Sequence, residues 1–193
     1  MEEWTEKNQI RINPDCICVP LPHYKQEKPH SCGAAACRSL GSYYGVGPST
    51  ESEWRKILNS HHNDGTKPVN IVSCLRNLGL TVHVKKNLEL EDLFASLNKG
   101  NPVLCAIQSY GNPKYYKDIH WCGHWVIAIG YDSRYVFFED SYVKRRRSFI
   151  THAKMFNRWN DIDGDGREYP RLGMTISGVP VNPVNLYQAI RVW

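Results

Sequence analysis

The amino-acid sequence predicts an α+β fold, with a helical first half packed on an antiparallel sheet drawn from the second. Helical spacing dominates as far as Asn98, and short apolar strand patterns dominate from Pro102 onward. No linker, internal repeat or low-complexity tract divides the 193 residues, so residues 1–193 are expected to form one domain. Apolar residues make up 41% and charged residues 22%, the balance of a globular chain able to bury a core without staples or metals.

Residues 1–22 are mostly polar or proline-containing apart from Cys18–Leu21, and read as an N-terminal arm lying on the domain. Ser31–Tyr44 is the first helix: Ala34, Ala35 and Ala36 favour it, Cys37, Leu40 and Tyr44 recur at helical spacing, and Gly45 and Gly47 stop it. Thr50 and Glu53 stand in capping-box order at the head of a second helix running to Leu58. His61–Pro68 reads as a loop and Val69–Leu78 as a third helix ended by Gly79. Leu80–Val84 is a short strand, and Leu90–Asn98 a helix closed by Gly100. Strands are then expected at Pro102–Gln108, Trp125–Tyr131, Tyr135–Glu139, Gly173–Ser177 and Tyr187–Val192, with Asp132–Arg134 as the turn of a hairpin.

Composition narrows the partners. The net charge of +5 permits an acidic partner without demanding one. No apolar stretch reaches the roughly 18 residues of a membrane span. The start, Met1-Glu2-Glu3-Trp4, has neither the basic nor the apolar part of a signal peptide, so a cytoplasmic location is expected, with secretion by a non-standard route left open. The seven cysteines form no repeated pairs, so no disulfide framework is expected.

Three residues suggest nucleophilic catalysis. Cys32 opens the first helix, where free N–H groups and the helix dipole favour a thiolate. Gly33 is expected to let a substrate backbone approach. Gln26, six residues upstream, can donate to a developing oxyanion together with the Cys32 N–H. His124 begins an apolar strand, and Asp140 ends the return strand of the same hairpin, which lies beside the start of the first. A carboxylate there fixes the tautomer of the imidazole and stabilises the imidazolium. Taken singly, Cys32 reads equally as a buried structural thiol, His124 as a core histidine and Asp140 as a turn residue. Their conjunction favours chemistry.

With those residues in place, the sequence resembles the papain-like cysteine peptidase superfamily. Within it, the chain is similar to the bacteriocin-processing (double-glycine leader) peptidases and their stand-alone relatives. Gln26–Tyr44, Asn70–Ser109 and His124–Trp159 carry the resemblance, over roughly residues 20–160. Asp140-Ser141 stands where that family usually has Asp-Pro. The resemblance implies a papain-like fold, a helix ending at Trp159 and a peptide or protein substrate. It implies a cysteine peptidase with Cys32 as nucleophile, His124 as base, Asp140 as orienter and Gln26 as oxyanion donor, working through a thioester without a cofactor. An acyltransferase or transpeptidase with the same machinery, or a non-catalytic peptide-binding module on the same fold, is the alternative.

Other constellations are weaker. His120, Cys122 and His124 lack a fourth ligand at zinc spacing. Asp161, Asp163 and Asp165 with Gly166 read first as an Asp/Gly-rich turn before the strand near Leu172; they also match the front of a calcium loop, but Leu172 stands at the twelfth position, leaving Glu168 as a substitute ligand. Lys144, Arg145, Arg146 and Arg147 read first as a solvated turn and otherwise as a contact for an acidic substrate segment; nucleic acid is not expected. Cys16 and Cys18 read as ordinary packing. Trp121 and Trp125 either line the site or fill the core.

Overall fold

The computed structural model describes residues 10, 12, 16, 18–109, 123–143 and 147–181. The expected strand Tyr187–Val192, together with Lys144–Arg146, His120–Cys122 and much of the arm, lies outside the described residues.

The helical half comprises α1 (Cys32–Tyr44), α2 (Glu51–Ile57) and α3 (Pro68–Asn77). Small side chains let α1 pack closely. Ala34 and Ala35 are fully buried, and an added Cβ on Gly41 would lie 2.4 Å from the Trp54 ring of α2. Gly45 caps α1 in the left-handed region at φ 69°. The expected capping box forms at Thr50 and Glu53. Pro68 takes the first turn of α3, one residue ahead of the expected start, where its missing N–H costs nothing.

The remaining described elements are β1 (Thr81–Lys85), α4 (Leu90–Asn98), β2 (Val103–Gln108), β3 (Gly123–Tyr131), β4 (Tyr135–Glu139), β5 (Ser148–Thr151), α5 (His152–Arg158) and β6 (Gly173–Ser177). The strands form one antiparallel sheet in the order β1-β6-β2-β3-β4-β5. The fold is therefore α+β, as expected. Every residue of β2 and nearly all of β3 is buried, so both sheet faces are covered at its centre. α1 packs on β3, and α4 on β2 and β3. β5 was not foreseen: it is a four-residue, half-buried edge strand with no alternating pattern, and Thr151 directly caps α5. α5 does end at Trp159, which is wholly buried.

The β3–β4 hairpin carries a bulge between Ala128 and Gly130. There the arm joins the sheet: Val19 N–H donates to Ile129 O at 2.6 Å, and Cys18 bridges Gly130. Among the described residues no helix is long and apolar enough to cross a membrane.

Candidate active site

Cys32 is the first residue of α1. The N-cap residue, Ser31, makes no side-chain cap, because its hydroxyl turns back to accept from Lys28 N–H at 3.0 Å and donate to Lys28 O at 2.9 Å. The first turn also carries no acidic residue. The positive end of α1 is therefore left to the Cys32 sulfur. Gly33 corrects the sequence reading. A Cβ there would meet Thr66 Oγ1 at 2.7 Å and Trp125 Cδ1 at 3.1 Å, so the glycine makes room for the protein's own side chains rather than for a substrate backbone. Trp125 donates to Thr66 O at 3.0 Å and is core packing beside Gly33.

β3 begins at Gly123, two residues before the expected Trp125, so His124 is its second residue, and it is 2% exposed. The residue before it has no room for a side chain: a Cβ on Gly123 would lie 2.6 Å from Asp161 Oδ1. His124 Nε2 donates to Asp140 Oδ1 at 2.8 Å, across from the start of β3 to the residue just past β4. Burial opposes the imidazolium, but hydrogen bonds and charge from Asp140 and Cys32 outweigh it and push the His124 pKa up to about 10. Cys32 therefore acts on the charge of the ring. Burial likewise opposes the Asp140 carboxylate. The imidazole, the Tyr142 N–H at 3.0 Å and the Ser148 side chain outweigh it and hold its pKa below the ordinary value.

Gln26 is 8% exposed. Its Nε2 donates to Lys28 O at 2.8 Å and Pro29 O at 3.1 Å, and its Oε1 accepts from Ser141 Oγ at 3.0 Å. The fold thus pairs His124 with Asp140, lets Cys32 act on the charge of that ring, and ties Gln26 to the residue after Asp140.

Several neighbours were not read from the sequence. Glu139, 3% exposed, pairs with His23 at 2.6 Å and with Arg147, which also donates to Leu21 O. Arg147 is therefore engaged with the strand end and the arm, and is not presented to an acidic substrate segment. Tyr142, mostly exposed, stands edge-on to the His124 ring at 6.5 Å. The contacts of Glu139 with His23 and of Arg147 with Leu21 join residues more than 100 positions apart, and no local spacing signals them.

The calcium expectation does not fit the observed loop. Asp163 Oδ1 accepts from the N–H groups of Asp165 and Arg167, both at 3.0 Å, and Asp163 Oδ2 from Tyr169 OH at 2.7 Å. Asp165 pairs with Lys67 at 2.7 Å, and Asp161 accepts from Gln108 at 3.1 Å. The carboxylates are spent on the protein instead of converging, and no group of three potential ligands that could hold a metal occurs among the described residues. Burial drives the Asp161 pKa up to about 7, and its carboxylate lies where a Gly123 side chain would be.

Comparison with known proteins places this geometry in context. The model of the Peptidase_C39 like family matches residues 19–166. No curated protein matches the chain. Among solved structures, a double glycine motif protease from an AMS/PCAT transporter, in complex with the leader peptide, aligns with TM-score 0.57 at 17% identity, over 82% of this chain and 92% of that one. The peptidase domain of Streptococcus ComA aligns with TM-score 0.61 at 16% identity, over 82% and 98%. A Bacillus anthracis protein described as a C39-like peptidase aligns with TM-score 0.62 at 11% identity, over 86% and 100%. At these identities the structural likeness speaks for the fold.

Proposed function

The chain belongs to the Peptidase_C39 like family, and from that premise we propose that it is a cysteine peptidase acting on a peptide or protein substrate. The single observation that supports this best is the buried imidazole hydrogen-bonded to Asp140, with its pKa raised to about 10 by Asp140 and Cys32. That balance favours the protonated ring at neutral pH.

In the proposed reaction the Cys32 thiolate, stabilised by the uncapped start of α1, attacks a carbonyl carbon. The carbonyl π electrons move to oxygen, and the Cys32 N–H and Gln26 stabilise the oxyanion. Gln26 serves by turning an N–H from Lys28 O or Pro29 O toward the oxyanion. His124 protonates the departing amine, leaving a thioester, and then takes a proton from the water that hydrolyses it. Asp140 orients His124 throughout.

The experiment is incubation of wild-type and Cys32→Ala protein with a peptide library and a lysate, read by mass spectrometry for new termini. Cleavage by wild type alone is expected. Products that form only with an added amine acceptor would instead indicate acyl transfer. Equal, slow reaction of Cys32 and ordinary thiols with iodoacetamide, without any turnover, would sink the enzyme reading.

A further inference from the structure

We infer that Ser141 is a positioning residue for the oxyanion site: its hydroxyl holds Oε1 of the Gln26 amide in place, while the acceptor-only carbonyls of Lys28 and Pro29 fix the N–H edge toward the nucleophile loop. This rests on the role proposed for Gln26. The two edges of a carboxamide are nearly the same shape and opposite in hydrogen-bonding sense. An N–H edge stabilises an oxyanion, whereas a carbonyl edge repels it. A free glutamine beside Cys32 would sample both.

Here the choice is made by three partners. Ser141 Oγ donates to Gln26 Oε1 at 3.0 Å, while the carbonyls of Lys28 and Pro29 receive Nε2 at 2.8 and 3.1 Å. Turning the amide over would set Oε1 against two carbonyl oxygens. Ser141 and Gln26 are 4% and 8% exposed, so solvent is a poor substitute for the lost bond. Their backbones are joined as well: Gln26 N–H donates to Ser141 O at 2.9 Å. The two residues are therefore clamped by a backbone and a side-chain bond across 115 positions of sequence. The same turn carries Asp140, so one short segment orients both the imidazole and the amide.

The test uses burst acylation by 4-nitrophenyl acetate, which generates an oxyanion and needs no knowledge of the natural substrate. Wild type is compared with Ser141→Ala, Ser141→Thr, Gln26→Ala and the Gln26→Ala/Ser141→Ala double variant, with thermal melting of each. Ser141→Ala is expected to acylate about 10-fold more slowly at unchanged ester affinity, with the hydroxyl of Ser141→Thr restoring the rate to within about twofold. In the Gln26→Ala background, loss of Ser141 is expected to add less than about twofold, because the two act as a unit. Iodoacetamide alkylation of Cys32 is expected to stay at the wild-type rate in all four variants, since alkylation forms no oxyanion.

Wild-type acylation in Ser141→Ala, or an equal loss with and without Gln26, would overturn the inference. So would a parallel fall in alkylation, which would put the effect on Asp140 and His124 instead. A wild-type protein with no Cys32-dependent burst would remove the functional reading and the inference with it. A normal burst insensitive to Ser141 would remove the inference alone.

Discussion

At the scale of single residues, the site is a contest between burial and pairing. His124 is almost completely enclosed, which by itself favours the neutral ring, yet Asp140 and Cys32 raise its pKa from the ordinary 6.5 to about 10. A raised pKa contributes stability that is complete below about 6.5 and lost as the pH climbs through about 10. Asp140, with its lowered pKa, contributes stability present above its ordinary 3.8 and lost as the pH falls through its folded value. Urea unfolding of wild type and His124→Gln should therefore show a wild-type advantage at neutral pH that shrinks toward pH ~10. Activity is expected to decline over the same alkaline range as the imidazolium that protonates the leaving amine disappears. Gln26→Ala should lower kcat by roughly 10²–10³ with little change in KM, measured with a cleaved peptide. Cys32, His124, Asp140 and Gln26 were legible as candidates because helix start, strand start and hairpin end are local signals. Gly33 was misread because a glycine beside a nucleophile says only that space is needed, and Thr66 and Trp125 fill that space from elsewhere in the chain. Ser141, Glu139 and Arg147 were not assigned a structural role for the same reason.

At the scale of elements, short-range chemistry sets the helices that deliver Cys32. Thr50 caps α2 through the Glu53 N–H, and Glu53 reaches back to the Thr50 N–H. Thr50→Ala should cost about 1 kcal/mol in chemical denaturation without altering alkylation of Cys32. Gly41 presents a sharper comparison. Alanine favours a helix interior over glycine by about 0.5–1 kcal/mol. The new methyl, however, would sit 2.4 Å from Trp54 and 2.5 Å from Val46 O. Overpacking of that kind costs about 1–3 kcal/mol, so Gly41→Ala is expected to lower the melting temperature despite its propensity. The helices and central strands were readable because capping, glycine stops and apolar runs act over a few residues. β5 escaped because an edge strand buries one face poorly and owes its place to pairing with β4. The aspartate-rich loop matched a metal motif in spacing alone. Its carboxylates chose backbone N–H groups, Lys67 and Gln108, a choice that only the tertiary fold determines.

At the scale of the whole molecule, a buried charge cluster ties three distant segments together. Glu139 at the end of β4 meets His23, just past the arm, and Arg147 ahead of β5, and Arg147 also binds Leu21 O of the arm. Removing one partner leaves a buried charge uncompensated, so Arg147→Met should destabilise by about 3–5 kcal/mol, and Arg147→Met with Glu139→Gln by less. Comparison of their denaturation midpoints checks this. The bond between Gln26 and Ser141 spans 115 residues and the one between His23 and Glu139 spans 116, so loop closure must precede both. Order of assembly follows from that span. During refolding, helical signal is expected to return first, and thiolate reactivity at Cys32 only in the final phase, once β3 and β4 have met the beginning of the chain. Catalytic competence would then be a clock for the completed molecule, silent in every partially folded form.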